Sequence, residues 1–204
     1  MGGDKMHKYS INSKEHVRVL FCIAVLSIGI TVLVKYIISL FDVRITFWFD
    51  TPSYIGVYYS IYALFDNCLW KIYFFRKIFF IHTPIIDGKW SGEICSSYHN
   101  HKKKVKGKLV IRQTWNNIEI KLNTKTSESK SEIAGIVQEN KNSYILIYQY
   151  NNAPEMNATK TMHSHKGTAI LNIKVDLESK MAGQYYSGRD RMNFGSIKFT
   201  RNKA

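Results

Sequence analysis

The longest apolar stretch of the chain, Val19–Val34, limits the possible folds more than any other feature. Its sixteen residues carry no charge, and Tyr36–Phe41 extends the apolar run beyond Lys35. A bilayer core about 30 Å thick requires about 20 helical residues, and Val19–Phe41 supplies them. Lys35 can extend its long side chain to the membrane interface. A soluble helix would need a protein core on all sides, and a signal peptide would need a small-residue cleavage site. We therefore predict a transmembrane helix.

A second apolar and aromatic segment predicts a second membrane helix. Tyr54–Trp70 is apolar as far as Asp66, and Ile72–Ile81 continues the segment. Tyr and Trp are common at the headgroup level of membranes. Lysine and arginine flank the two segments on their outer sides and are scarce between them, which predicts that both termini are cytoplasmic. Residues 1–83 are thus expected to form an N-terminal tail and a two-helix transmembrane hairpin.

The rest of the chain, residues 84–204, is strongly basic. It carries +10 of the formal net charge of +14. A domain with this charge suits a polyanionic partner or the anionic surface of a membrane. Cys22, Cys68 and Cys95 have neither zinc-site nor disulfide spacing, which agrees with a reducing compartment.

After Pro84 the hydrophobic pattern changes to a period of two residues. In Asn117–Thr124, for example, the apolar residues Ile118, Ile120 and Leu122 alternate with polar ones. This alternation, with short polar breaks, is typical of half-buried antiparallel strands. Eight strands are predicted, at Trp90–Ser96, Gly107–Gln113, Asn117–Thr124, Ile133–Glu139, Tyr144–Tyr150, Ala169–Val175, Met181–Tyr186 and Phe194–Thr200.

Eight short antiparallel strands can form either a sandwich or a closed barrel. Closure removes the edge strands, and an eight-stranded barrel can hold one small ligand. An outer-membrane barrel is disfavoured because its strands would be longer and apolar on the outside. We therefore predict a membrane protein in which residues 84–204 form a small, mostly antiparallel, eight-stranded cytosolic β-barrel for ligand sensing. The long break Asn151–His165 is expected to be a loop that covers one mouth.

Few residue patterns in the chain indicate catalysis. The sequence contains no phosphate-cradling glycine loop and no convincing nucleophile with a base. Two His-x-His pairs, His99 with His101 and His163 with His165, can each place two metal ligands on one strand face. Neither pair has a carboxylate or thiolate at useful spacing, so we expect polar loop histidines, no metal site and no catalytic residue.

The segment Gly183–Arg191 contains two tyrosines and two arginines around one tight turn. Aromatic rings can stack on nucleobases, and guanidinium groups bind phosphates through two parallel hydrogen bonds. A hairpin with exposed arginines has the same composition. The segment therefore predicts either a nucleotide-binding turn or a plain surface hairpin.

Three features together resemble one known family. They are the two apolar segments, the Pro-x-Ile-x-Gly-x-Trp-x-Gly pattern from Pro84 to Gly92, and the closing Gly-x-Tyr-Tyr-x-x-Arg and Gly-x-Ile-x-Phe-x-Arg patterns from Gly183 to Arg201. In this order they resemble the two-transmembrane, β-strand-rich effector family of bacterial CBASS antiphage systems. The resemblance covers essentially the whole chain, although each motif is short.

The resemblance implies a non-enzymatic antiphage effector. A β-barrel would bind a cyclic dinucleotide second messenger made by a partner CD-NTase after phage infection. Binding would drive homo-oligomerisation, and the transmembrane helices would disrupt the lipid bilayer of the bacterial inner membrane, causing abortive infection. The resemblance implies no cofactor and no DNA or RNA partner.

The candidate ligand-binding residues follow from the closing pattern and from strand geometry. Tyr186, Arg189 and Arg191 match the family's closing pattern and are expected to face the ligand phosphates. The set is completed by Arg112 and Lys108, which share one strand face, and by Trp90 of the first pattern.

Two other functions are compatible with the sequence. One is a membrane-tethered small-barrel carrier of a lipid or another small molecule, although the basic charge and the Tyr/Arg turn favour an anionic ligand. The other is a metal enzyme at the histidine pairs, which the missing carboxylate disfavours.

Overall fold

The computed structural model describes residues 6–11, 14–41, 50–140, 142–156, 158, 163–174, 180–189 and 191–202, without the side chains of residues 50–53 and 99. The chain divides into two compact units. Ser13–His82 forms one, and Met1–Asn12 together with Thr83–Ala204 forms the other. The first unit is helical and the second is a β-domain.

The β-domain contains nine described strands. Their bounds are β1 His7–Ile11, β2 Gly88–Ser96, β3 Lys104–Gln113, β4 Asn117–Asn123, β5 Ser127–Asn140, β6 Ser143–Pro154, β7 His165–Lys174, β8 Lys180–Ser187 and β9 Phe194–Arg201. From β2 onward each strand pairs antiparallel with the next, and β9 pairs with β2, so the sheet closes into a barrel.

The N-terminal strand β1 is inserted between β4 and β5. His7 and Lys8 pair antiparallel with β4, whereas Tyr9–Ile11 run parallel to β5. β4 and β5 pair with each other only over Lys121–Asn123 and Glu128–Lys130. The sequence predicts a tail for these first residues. The structure corrects that assignment, because β1 belongs to the β-domain although it precedes the apolar helix.

Alternation of side chains builds the core of the barrel. On β4, Ile118 and Ile120 are buried, and on β3 the same holds for Leu109 and Ile111. Trp90, Tyr148, Leu171 and Phe199 belong to the same buried cluster. Because successive side chains of a strand point to opposite faces, Lys108 and Arg112 lie on the outer face of β3, where both are exposed.

All eight predicted strands are present, in one sheet-rich, mostly antiparallel domain. The count is nine rather than eight, because β1 was not predicted. Several strands are also longer than predicted. β6 continues through Asn151 and Asn152 to Pro154, so the first part of the predicted loop Asn151–His165 is strand. β5 begins at Ser127 rather than Ile133.

The helical unit contains one described helix that is long and apolar enough to cross a membrane, α1 (Glu15–Ser39). The first predicted apolar segment is therefore helical. One stripe of α1, Val19, Ile23, Ser27 and Thr31, is buried. The hydroxyls of Ser27 and Thr31 donate to backbone carbonyls of α1 at 2.7 Å. The two polar side chains of this stripe therefore have hydrogen-bond partners within the helix.

The second predicted membrane span is shorter than expected. α2 covers Asp50–Asn67, a short 3₁₀ turn covers Leu69–Lys71, and α3 covers only Tyr73–Ile78. Residues 54–81 therefore do not form one continuous helix. Among the residues that the structure describes, α1 alone has the length and apolarity of a spanning helix. α2 contacts α1, and Lys35 Nζ at the end of α1 lies 4.5 Å from the centre of the Tyr54 ring.

The two ends of the helical unit lie next to each other. Glu15, at the start of α1, is buried and accepts a hydrogen bond from the backbone N–H of His82 at 2.8 Å. The guanidinium of Arg18 lies 5.7 Å from the centre of the Phe80 ring. The chain therefore enters and leaves this unit at the same place.

Candidate ligand-binding site

A pocket opens at one mouth of the barrel and has a volume of about 610 Å³. It lies at the end formed by the last residues of β2, the turn between β4 and β5, and the end of β8. The opposite end of the barrel contains β1 and Gly88, where β2 begins. Pockets of this size commonly hold small-molecule ligands.

Three tyrosines form the most buried aromatic part of the lining. Tyr148 and Tyr150 are inward neighbours on β6, with ring centres 6.2 Å apart, and Tyr185 on β8 joins them. Burial raises the pKa of all three phenols above the ordinary value. The hydroxyls are therefore neutral at physiological pH and can donate hydrogen bonds. Their rings offer faces on which a planar ligand group can stack.

The same pocket is rich in positive charge. Its described lining contains no Asp or Glu and five basic side chains, from Lys103, Lys104, Lys106, Lys125 and Arg191. Lys104 is paired with the exposed Glu93 at 2.8 Å, which holds the pKa of that carboxyl below its ordinary value. A concave site with charge of one sign attracts a ligand of the opposite sign.

His165 also lines the pocket, near Arg191. Burial lowers the pKa of His165, and the positive charge of Arg191 adds to this effect. The imidazole is therefore neutral at pH 7 in the free protein. An anion bound beside it would raise that pKa again, because a negative charge stabilises the protonated ring.

Two donors in the pocket lack hydrogen-bond partners among the described residues. Asn152 is buried, and its side-chain oxygen accepts from Ser129 Oγ at 2.7 Å. Its amide nitrogen Nδ2 and Nη1 of Arg191 are both buried atoms without an acceptor. An unsatisfied buried donor costs about 1–3 kcal/mol. A bound ligand or an ordered water can supply the missing acceptor.

A rigid turn between β4 and β5 holds hydroxyl groups at the pocket. Thr124 Oγ1 and Ser127 Oγ lie 3.0 Å apart, and the Thr124 and Ser127 backbones are joined by a 2.9 Å hydrogen bond. Thr126 is fixed from the other side, because its carbonyl accepts from the Glu155 N–H at 2.9 Å. The turn thus presents Lys125 and these hydroxyls from a fixed backbone.

The structure places one of the predicted site residues in the pocket lining, Arg191, whose guanidinium lies 5.8 Å from the centre of the Tyr98 ring. Arg189 lies in the same turn but is exposed and outside the lining. Tyr186 is 48% exposed. The side chain of its neighbour Tyr185 lies on the opposite face of β8 and lines the pocket.

The other three predicted site residues lie away from the pocket. Lys108 and Arg112 share the outer face of β3, as predicted, and Arg112 is paired with Glu119. Trp90 is 1% exposed in the core. Its indole N–H donates to the carbonyl of Ile86 at 3.1 Å. We therefore build the proposed site on the pocket lining and not on these three residues.

Sequence reasoning missed Asn152 and the lysines of the pocket. One signal pointed to Asn152: Tyr144, Leu146, Tyr148 and Tyr150 alternate inward on β6, and Asn152 is the next position of that series. The prediction ended the strand at Tyr150. Lys103 and Lys104 also line the pocket, and a lysine run by itself does not distinguish a solvated surface from a ligand site.

The histidine pairs do not come together as a metal site in the described part of the chain. No group of three or more His, Cys, Asp or Glu side chains there has the geometry to hold an ion. The ring of His101 lies 5.6 Å from that of Phe194, and the Nδ1 of His165 lies 3.1 Å from the carbonyl of His163. The three cysteines are free thiols.

Comparison with known proteins identifies the family to which the chain belongs. Residues 81–201 match the family model described as Cap15, cyclic dinucleotide receptor domain. The chain is 34% identical over 148 residues to CD-NTase-associated protein 15 of Yersinia aleksiciae, covering 72% of this chain and 68% of the relative. It is 25% identical over 171 residues to the protein of the same name from Escherichia albertii, covering 79% and 84%. The chain therefore belongs to the Cap15 family of CBASS effectors.

Proposed function

We propose that the pocket at the barrel mouth binds a cyclic dinucleotide made by a partner CD-NTase, and that binding triggers membrane disruption in the infected cell. The observation that carries this proposal is the combination of basic groups, tyrosine rings and two unsatisfied buried donors in one pocket without an acidic side chain among its described lining residues.

The chemistry of a cyclic dinucleotide fits this lining. Its two phosphates carry negative charge, which Arg191 and the lysines match with charge-assisted hydrogen bonds. Its two bases are planar and can stack on Tyr148, Tyr150 or Tyr185. The Asn152 amide can donate to a base acceptor. A neutral lipid tail would supply no acceptor for the buried donors of Asn152 and Arg191.

The course of the chain supports a membrane hairpin with the β-domain on one side. β1 precedes α1 and β2 follows α3, yet both strands belong to one sheet. If α1 crosses the membrane, the chain must return to the side from which α1 started. α2, with 18 residues, is about 27 Å long, close to the thickness of the hydrocarbon core. We place both termini in the bacterial cytoplasm and the hairpin in the inner membrane.

Permeabilisation requires association, because the two membrane helices of one copy cannot line a pore. The ligand promotes association only if it binds the associated state more tightly than the single copy. We therefore propose that cyclic dinucleotide binding assembles several copies and concentrates their helices in the bilayer, which results in abortive infection.

Binding can be tested with the full-length protein in detergent. Calorimetric titration with cyclic di-GMP, cyclic di-AMP, cyclic GMP–AMP and cyclic UMP–AMP should reveal a ligand whose affinity falls with salt. Arg191→Ala should then weaken binding by about 1.5–3 kcal/mol, because a charged hydrogen bond to phosphate is lost. Arg189→Ala is the matched control in the same turn and should bind normally. Equal affinity of both variants for the nucleotide would show that Arg191 is not part of the binding site.

Membrane disruption can be tested in vesicles that contain the full-length protein and an enclosed dye. The nucleotide that binds in the titration should release the dye, and Arg191→Ala should release less at the same concentration. Leakage that is equally strong without nucleotide would contradict gating. Binding of fatty acids in place of all four nucleotides would instead support a lipid carrier.

A further inference from the structure

Strand β1 is an addition to a barrel that is already closed without it. β2–β9 form a complete ring, because β4 pairs directly with β5. β1 fills only the gap where these two strands diverge, beside Ala134–Ile136 of β5 and the start of β4, where it contacts Asn117, Ile118 and the preceding Asn116. We refer to this gap as the β1 slot.

The attachment of β1 to its slot is small. It makes two register pairs with β4 and three with β5, whereas β5 and β6 share twelve. Of its five residues only Tyr9 is buried. Removal of β1 therefore leaves most of the barrel hydrogen bonds intact and exposes one empty strand position.

Ser131 marks the point at which β4 and β5 separate. Its buried hydroxyl oxygen accepts a hydrogen bond from the Ile120 N–H at 3.0 Å. The hydroxyl proton is then available to donate to Nε2 of His7, which lies 2.7 Å away. Ser131 thus replaces a ladder hydrogen bond of the sheet and holds the first residue of β1.

We propose that the β1 slot is the surface through which copies of this chain associate, with β1 of one copy filling the slot of the next. The exchanged strand makes the same contacts in either copy, so exchange costs little in enthalpy. When each copy donates to the next, the copies join head to tail and form a closed ring or an open filament. This inference rests on the proposed function, which requires association.

The position of β1 in the chain gives such an exchange a direct effect on the helices. β1 ends at Ile11 and α1 begins at Glu15. The three intervening residues span at most about 14 Å. A copy that donates β1 therefore brings the start of its own apolar helix to the β-domain of its neighbour. Repeated exchange would gather the α1 helices of many copies.

The slot and the pocket share two strands. Ser129 lines the pocket and pairs with Leu122, and the next pair, Lys121 with Lys130, is the last before Ser131. A ligand that contacts Ser129 therefore acts two residues from the point where β4 and β5 separate. Ligand binding can shift the equilibrium if the strand spacing that suits the ligand differs between the closed and exchanged states.

Cysteine crosslinking between copies tests the exchange. Lys8 and Asn117 are register partners, at a separation that a disulfide can bridge. In a background with Cys22, Cys68 and Cys95 changed to Ala, one chain carries Lys8→Cys and a second, longer-tagged chain carries Asn117→Cys. Both are placed in the same vesicles with the cyclic dinucleotide that binds in the titration. We expect a disulfide between the two tagged chains that increases on addition of nucleotide.

A matched pair controls for random collision. Lys89 and Val110 are register partners on β2 and β3. These two strands stay within one copy in the proposed exchange. Chains with Lys89→Cys and Val110→Cys should give no disulfide between copies. A third protein, with Lys8→Cys and Asn117→Cys in one chain, should lock β1 in its own slot under oxidation. It should bind nucleotide normally and lose association and leakage.

The outcomes separate this inference from the proposed function. Binding and association without a disulfide between Lys8→Cys and Asn117→Cys chains would overturn strand exchange and leave the receptor function intact. Full association of the locked protein would overturn it as well. If none of the four nucleotides binds, the proposed function fails and the inference fails with it.

Discussion

The side-chain amide of Gln113 donates a hydrogen bond to the hydroxyl of Tyr9 at 3.0 Å. The two residues are 104 positions apart, and Tyr9 lies before the apolar helix while Gln113 ends β3. The amide nitrogen of Gln113 also donates to the carbonyl of Pro84 at 3.2 Å, and its oxygen accepts from the Ile86 N–H at 2.9 Å. One buried side chain therefore fixes both segments of the β-domain that border the helical unit in the sequence.

Gln113→Ala should destabilise the β-domain. The substitution leaves the Ile86 N–H without its acceptor and the Tyr9 hydroxyl and Pro84 carbonyl without their donor. We expect a loss of about 2–3 kcal/mol in the free energy of unfolding, measured by denaturant titration. Gln138→Ala, at a more exposed glutamine of β5, is the control and should change stability by about 0.5 kcal/mol or less. Equal losses in both variants would contradict the role of Gln113.

A buried carboxylate joins three strands on the outer side of the barrel. Glu119 on β4 is 1% exposed and is paired with Arg112 of β3 and with Lys130 of β5 at 3.0 Å. Lys121 lies 3.8 Å from the same carboxylate. Because Lys121 and Lys130 are directly opposite each other, Glu119 neutralises a repulsive pair. Glu119→Gln should therefore lower the free energy of unfolding by about 2 kcal/mol at pH 7.

The stabilisation by Glu119 should depend on pH in a defined direction. Burial alone would raise the pKa of Glu119, but the hydrogen bonds from Arg112 and Lys130 outweigh it and hold the pKa below the ordinary 4.5. The contribution is therefore present above about pH 4.5 and is lost as the pH falls through the lower pKa of the folded state. The difference between the wild type and Glu119→Gln should shrink as the pH falls below 4.5. A constant difference between pH 7 and pH 3 would disprove this assignment.

The strand pattern was predictable because alternation is a local property of the sequence. Asn117–Thr124 was predicted as a strand, and β4 covers Asn117–Asn123. β1 was not predictable in the same way. Its five residues bury one side chain, and its partners lie more than one hundred positions away. Local pattern carries no information about a strand whose stability comes from distant pairing.

The site was less predictable than the fold because alternation does not say which face points inward. Tyr185 and Tyr186 are adjacent and chemically the same, and only the register of β8 against β7 and β9 directs Tyr185 to the pocket. Arg189 and Arg191 differ for a similar reason, since the turn positions one beside Tyr98 and leaves the other exposed. Sequence composition identified the turn, but it did not show which tyrosine and which arginine line the pocket.

Tyr185→Ala and Tyr186→Ala should therefore have different effects on nucleotide binding. Tyr185 lines the pocket, and loss of a stacking ring costs about 1–3 kcal/mol per base. Tyr186 has the same chemistry and is half exposed on the other face of β8. We expect weaker binding for the first variant and unchanged affinity for the second, measured by calorimetry. The reverse result would place the ligand on the outer face of the barrel.

Asn152→Asp should weaken nucleotide binding by more than the loss of one hydrogen bond alone. The substitution replaces the unsatisfied Nδ2 donor with an oxygen and adds a negative charge to the pocket that we propose binds an anion. We expect a loss of about 2–4 kcal/mol in binding free energy. Asn151→Asp is the matched control, because Asn151 is the exposed neighbour on the same strand. Equal affinity of the two variants would exclude Asn152 from the site.

The final prediction concerns the path of the chain through the membrane. Because β1 and β2 lie in one sheet and Glu15 contacts His82, a spanning α1 requires the chain to cross back before residue 82. The segment between α1 and α2 should then lie in the periplasm and the β-domain in the cytoplasm. In a cysteine-free chain, Thr46→Cys should react with an impermeant maleimide in intact spheroplasts. Lys102→Cys, in an exposed turn of the β-domain, should react only after lysis. Labelling of both positions before lysis would place the β-domain outside the cytoplasm. Labelling of neither would show that α1 does not cross the membrane.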